Sequence, residues 1–239
     1  MVLEEYRGRV APYVARLARP FLSWRPSTLT WTALALCAAA SVLAASVRWS
    51  SYVLFLPVAL LIFFGGVFDV LDGEVARRTG RASVQGDLLD HVVDRYADII
   101  LVLGIAVSGY VNPILALLAL VSLLLTSYMG TQAQAVGLGR HYGGLLTRAD
   151  RLLLLALGAF LVFDLSLPWP WAPTAPWSRF QLAGVSFTVL DLVFLYFVVA
   201  GQVTAVLRAR SIYAELGRVA PSTGKDASPR SATEPPRMR

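Results

Sequence analysis

Six apolar runs, at about 28–47, 51–72, 87–107, 111–137, 151–167 and 182–205, take up most of this 239-residue chain. Each reaches, or nearly reaches, the roughly 20 residues that a helix needs to cross the hydrocarbon core of a bilayer. In lipid a backbone must satisfy its own hydrogen bonds, so runs of this length fold as helices. Hydrophobic residues make up 56% of the chain and charged ones 15%, which excludes an ordinary soluble domain. The expected fold is all-α and integral to a membrane. Six transmembrane helices occupy 26–207, an amphipathic cytoplasmic surface helix lies within 1–25, and 208–239 form a basic disordered tail.

The flanking segments give an orientation. Arg7, Arg9, Arg16 and Arg19 alternate with Tyr6, Val10, Tyr13, Val14, Leu17 and Phe21 at spacings of three and four. That pattern suits a helix lying on an anionic membrane surface, although Gly8 and Pro12 weaken its first half. No cleavable signal is expected there, because the segment has no apolar core. Further arginines fall between runs two and three (Arg77, Arg78, Arg81), between runs four and five (Arg140, Arg148, Arg151), and after run six from Arg208. Opposite them stand only Arg48 and Arg179. The positive-inside rule therefore puts both termini on the cytoplasmic side of the cell membrane. The net charge of +6 is spread over these connections, so it reads as topology and not as a nucleic-acid surface. Cys37 is the single cysteine and only two histidines occur, which argues against zinc.

Against this background four carboxylates stand out. Asp69, Asp72, Asp90 and Asp94 fall within 26 residues, flanked by VALLIFFGGVF before and IILVLGIAV after. Spacings of i, i+3 and i, i+4 put each pair on one helix face. An ionised acid at membrane depth is costly and usually faces a polar cavity that carries function. Four of them converging would repel strongly unless cations lay between, and hard oxygen ligands favour Mg²⁺ or Mn²⁺. Asp87 and Asp98 lie on the same run, with helix capping and pairing to Arg95 as their simpler roles. His91 sits beside Asp90 and reads more simply as a hydrogen-bonded neighbour than as a ligand.

Written out, the stretch is D-x2-D-G-x2-A-R-x8-G-x3-D-x3-D, from Asp69 through Gly73, Ala76, Arg77 and Gly86 to Asp94. It resembles the signature of the CDP-alcohol phosphatidyltransferase family at every fixed position. The wording around it (DLLDHVVDRYAD at 87–98, TRADR at 147–151) is most similar to archaeal members that use a polyol phosphate, makers of archaetidylinositol phosphate or archaetidylglycerol phosphate. The resemblance implies an enzyme that displaces CMP from CDP-archaeol or CDP-diacylglycerol with an alcohol. It implies two metal ions on Asp69, Asp72, Asp90 and Asp94, with Asp94 also the general base. Gly73, Ala76, Arg77 and Ser83 would hold the CDP-lipid, and a homodimer is implied as well.

For the acceptor, TRADR resembles the E-R-x-x-R element of polyol-phosphate users, which makes Arg148 and Arg151 the expected phosphate ligands and Arg140 a weaker third. Arginine forks suit phosphate, and an i, i+3 spacing aligns the first two on one face. One stretch departs from the pattern. In SYMGTQAQAVG (127–137), Gly130, Gln132 and Gln134 replace two basic residues and an acid of the inositol-phosphate users, leaving glycerol phosphate or another alcohol open. The rival function is a divalent-cation transporter or channel built on the same carboxylates. Arg77 counts against it, because a cation path gains nothing from an arginine beside its acids.

Overall fold

A computed structural model describes residues 7–138, 145–168, 179–182 and 185–219. Among them are seven α-helices: α1 (Arg7–Leu17), α2 (Pro26–Ser46), α3 (Phe55–Arg78), α4 (Val84–Val107), α5 (Pro113–Ala135), α6 (Arg148–Ser166) and α7 (Val189–Val219). Four stretches are long and apolar enough to cross a membrane: Pro26–Trp49, Tyr52–Arg78, Pro113–Ala135 and Val189–Arg218. The helices α4 and α6 carry charged residues along their length (Asp87, Asp90, Asp94, Arg95 and Asp98 on α4; Arg148, Asp150, Arg151 and Asp164 on α6), which dilutes their hydropathy.

From α2 to α7 each helix packs on two others: α2 on α3 and α4, α3 on α6, α6 on α7, α7 on α5, and α5 on α4. The six thereby close into a ring. Small residues set how closely the helices approach, as they do where lipid supplies no hydrophobic drive between helices. On α2 a buried stripe of Ala33, Cys37, Ala40 and Ala44 faces α3 and α4. Gly104 of α4 lies so near α2 that a Cβ there would sit 2.4 Å from the Ser41 carbonyl oxygen. The Ser41 hydroxyl uses this closeness to donate to the Ile100 carbonyl at 2.5 Å. Phe55, Ile62, Leu101, Leu123, Leu155, Phe194 and Phe197 fill the core. Outside, Trp31, Leu60, Phe63, Ile114 and Leu117 are exposed, so the ring is apolar on its outer surface too.

Three features depart from the sequence expectations. Run two does not stop at Asp72: α3 continues to Arg78, closed by a Glu74 carboxylate that accepts from Arg77 and Arg78 at 2.9 and 2.6 Å. Run six begins as a hairpin, β1 (Arg179–Leu182) against β2 (Val185–Thr188), with Phe180 opposite Phe187. The β-branched and aromatic residues of VSFT suit a strand, and α7 starts where Thr188 and Asp191 cap each other. At its other end α7 runs on to Val219, so 208–219 are helical where a disordered tail was expected. Buried Ala205 and Ile212 anchor this extension, and Arg208, Ala209 and Ala214 are strong helix formers. Residues 220–239 and Arg140 lie outside the described residues.

Ahead of the ring, α1 lays Val14 against a cluster on α3 that contains Val67, Phe68, Leu71 and Val75. Tyr13 and Leu17 on the same helix are exposed.

Candidate active site

Capping chemistry positions the helices that meet at the site. Ser83 starts α4 by accepting from the Gly86 amide at 3.1 Å, which sets Asp90 and Asp94 about one and two turns further in. Thr147 and Asp150 form a capping box at the start of α6: the Asp150 carboxylate accepts from the Thr147 amide at 3.0 Å and from its hydroxyl at 2.7 Å. Arg148 is the first residue of that helix, and Arg151 follows one turn later. Both turn inward.

The acids come together as their spacing predicts. Carboxylate oxygens of Asp69, Asp72 and Asp90 lie within 4.8 Å of one another. A second group, Asp90, His91 and Asp94, does the same and shares Asp90 with the first. Asp72 and Asp94 are only 6% and 7% exposed, so their charges are held away from solvent. Thr30 of α2 donates to Asp72 Oδ2 at 2.7 Å and fixes that carboxylate. This partner lies 42 residues away and leaves no trace in the motif. Thr30→Val removes the donor while keeping the shape, and should weaken Mn²⁺ binding about tenfold in a calorimetric titration. Unchanged affinity would show that Asp72 needs no such support.

Three arginines answer the acids, and a fourth, Arg208, lies on the same cavity. Arg148 Nη1 lies 3.1 Å from Asp69 Oδ1 and also meets Asp94 Oδ1. Arg95 Nη2 lies 3.4 Å from Asp94 Oδ2. Arg151 is drawn elsewhere: it donates to Asp98 Oδ2 at 2.5 Å, with both side chains at least 94% buried. Arg208 of α7 donates to the Thr126 carbonyl at 2.7 Å and passes 3.5 Å from a Cβ built on Gly130. A Cβ there would be in ordinary van der Waals contact with it.

A cavity of about 570 Å³ opens on these groups. From α3 and α4, Asp69, Asp72, Gly73, Arg77, Asp90 and His91 line it. From α5, α6 and α7, Thr126, Ser127, Thr131, Gln134, Arg148 and Arg208 line it. Of the residues expected to hold the CDP-lipid, Gly73 and Arg77 line the cavity. Ala76 and Ser83 are not among its lining residues, and the Ser83 hydroxyl is engaged as the α4 cap. Gln132 turns to the Tyr128 hydroxyl instead of the cavity. Sequence reading missed Arg208, because it follows the last apolar run and looked like one more topological charge.

The donor set suits a hard divalent cation. It offers several carboxylate oxygens and one imidazole nitrogen at ligand spacing, half-buried beside a cavity. No thiolate joins it, since Cys37 lies in the apolar core.

Residues 24–197 match the family model for CDP-alcohol phosphatidyltransferase. The chain belongs to that family. It is a multi-pass membrane protein, as its apolar helices and family indicate. An archaetidylinositol phosphate synthase of Methanothermobacter thermautotrophicus is 37% identical over 126 residues, 53% of this chain and 63% of the relative. The same enzyme of Aeropyrum pernix is 33% identical over 164 residues, 67% of this chain and 79% of the relative. The match thus spans less than two thirds of the Methanothermobacter protein's length. Among solved structures, Mycobacterium tuberculosis phosphatidylinositol phosphate synthase with CDP-DAG bound shares 25% identity at a TM-score of 0.62, covering 84% of this chain and 93% of that one. The same enzyme in complex with manganese and citrate gives a TM-score of 0.64 at 24% identity, a likeness of fold.

Proposed function

We propose that this family member transfers the phosphatidyl-type group of a CDP-activated lipid to an alcohol, releasing CMP, with Asp94 as general base. The single observation that carries this reading is the convergence of Asp69, Asp72 and Asp90 on one cavity, with Asp94 joined to Asp90 in a second ligand-spaced group and Arg148 against both Asp69 and Asp94. Asp69, Asp72, Asp90 and Asp94 would hold two Mg²⁺ or Mn²⁺ ions. When bound, such ions neutralise the diphosphate and the charge that builds on the departing CMP.

The chain's own residues do the rest. Gly73 leaves room for the nucleotide's diphosphate, and Arg77 at the cavity edge steadies the leaving group's charge. The acceptor hydroxyl attacks the lipid-linked phosphorus as the bond to CMP breaks, and its proton passes to the Asp94 carboxylate. A transport function loses its support here, since a channel has no use for arginines paired with its acids.

The acceptor is read as a polyol phosphate. Arg148 faces the cavity from α6, and Arg208 reaches it from α7 beside Gly130. Arg208 thus brings positive charge to the side where Gly130 and Gln132 replace basic residues. We read Arg151 as a structural support and not as a direct ligand, because Asp98 already engages it. The archaeal relatives favour CDP-archaeol as the lipid and inositol phosphate as acceptor, whereas the altered α5 stretch weakens inositol phosphate and leaves glycerol phosphate or another alcohol open.

We further read six membrane crossings, α2 to α7, with α1 lying on the cytoplasmic surface of the cell membrane. The arginines at the site end of α3 and α7 support that orientation. A homodimer is expected from the family resemblance.

The test is CMP release from CDP-archaeol or CDP-diacylglycerol with Mn²⁺ or Mg²⁺, given glycerol phosphate, inositol phosphate, inositol or serine in turn. A phosphorylated acceptor should be used and its neutral counterpart refused. Arg148→Ala should raise KM for that acceptor at least tenfold, because a fork to phosphate is removed. Release of CMP with none of the four would sink the polyol-phosphate reading.

A further inference from the structure

We propose that His91 is a direct nitrogen ligand of the bound cation, beside Asp90 and Asp94, and that it biases the site toward Mn²⁺ over Mg²⁺. This rests on the metal-dependent transferase reading above and goes beyond it. Position 91 is one of the unconstrained places in the signature, so nothing in the motif calls for a histidine there.

The geometry makes the case. His91 lies one residue after Asp90 and three before Asp94, so its side chain reaches the face of α4 that Asp94 occupies. It lines the cavity together with Asp69, Asp72 and Asp90. Its Nδ1 stands 3.7 Å from Asp90 Oδ2. That separation is too long for a hydrogen bond. It suits two ligands of one ion, since donors each about 2.1 Å from a metal lie roughly 3 to 4.2 Å apart. Ligand atoms of Asp90, His91 and Asp94 all fall within 4.8 Å of one another.

The chemical consequence follows from ligand type. Mg²⁺ gains little from imidazole, whereas first-row transition ions bind it with affinities that climb along the divalent series. An all-carboxylate site would discriminate weakly between Mg²⁺ and Mn²⁺. Exchanging one oxygen for the His91 nitrogen tilts the balance toward Mn²⁺. It also leaves the site one negative charge fewer than a fifth carboxylate would, which eases metal release in so acidic a cluster.

The experiment is pulsed EPR on the full-length, tag-free protein in detergent or nanodiscs, loaded with Mn²⁺. Wild-type protein should show modulation from a directly coordinated ¹⁴N, converted to the ¹⁵N pattern when histidine is isotopically labelled. Only two histidines occur in the chain, so assignment needs two variants. His91→Gln should abolish the nitrogen signal and His141→Gln should retain it. His91→Gln should also lower Mn²⁺ affinity about tenfold while moving Mg²⁺ affinity less than about twofold. If His91→Gln fails to fold, retention of the nitrogen signal in His141→Gln alone assigns it to His91.

Bound Mn²⁺ with no coordinated nitrogen, or a nitrogen signal that disappears with His141, overturns the assignment and leaves the metal-dependent reading standing. Failure of the wild type to bind Mn²⁺, or binding undiminished in Asp69→Asn, overturns both.

Discussion

Asp94→Asn should reduce CMP release by about a thousandfold or more while leaving the protein folded and able to bind the CDP-lipid. Amide and carboxylate have the same shape, so the 7% exposed pocket on α4 keeps its packing. One of the two arginines, Arg148 at Oδ1 or Arg95 3.4 Å from Oδ2, can still donate to the single amide oxygen, while the amide nitrogen gives up the other contact. What disappears is the ability to take a proton from the acceptor hydroxyl, an effect typically of 10²–10⁴. Some metal affinity goes with it, because Asp94 also belongs to the acid group with Asp90. The two losses separate by titration: at saturating Mn²⁺ the rate defect should persist. Turnover within tenfold of wild type under those conditions would show that the proton leaves by another route. A defect that vanishes at high Mn²⁺ would make Asp94 a ligand alone.

The contrast between these acids and their partners explains what could be read from the chain. Asp69, Asp72, Asp90 and Asp94 sit on two consecutive helices at intervals matching the helix period, so local spacing alone brings them to one face. The partners are long-range. Thr30 meets Asp72 across 42 residues and Arg151 meets Asp98 across 53, distances at which no periodicity reports a contact. Arg208 looked like a flanking charge because the apolar signal ends before it, yet α7 extends to Val219 and carries it to the cavity. The hairpin before α7 was hidden for a related reason. Its second strand brings Val185 and Phe187 up against an apolar helix, so hydropathy merged the two, and the capping pair of Thr188 and Asp191 marks the boundary.

Arg151→Ala should cost more stability than any other arginine replacement around the site. The guanidinium lies 2.5 Å from Asp98, and the two side chains are 6% and 4% exposed. Removing one member of a buried pair leaves the other charge uncompensated, a loss of about 3–5 kcal/mol. Arg95 stands 3.9 Å from the same Asp98 oxygen and offers partial relief, so the lower end of that range is expected. Thermal unfolding in detergent, followed by tryptophan fluorescence, should register the drop directly. The double variant Asp98→Asn/Arg151→Gln should recover most of it, because a neutral pair keeps a hydrogen bond without burying a lone charge. Such recovery identifies Arg151 as the partner of Asp98 and separates it from Arg148, whose replacement should act on acceptor KM. If Arg151→Ala unfolds like wild type and instead raises KM for the phosphorylated acceptor, the guanidinium leaves Asp98 during the reaction and serves as a phosphate ligand after all.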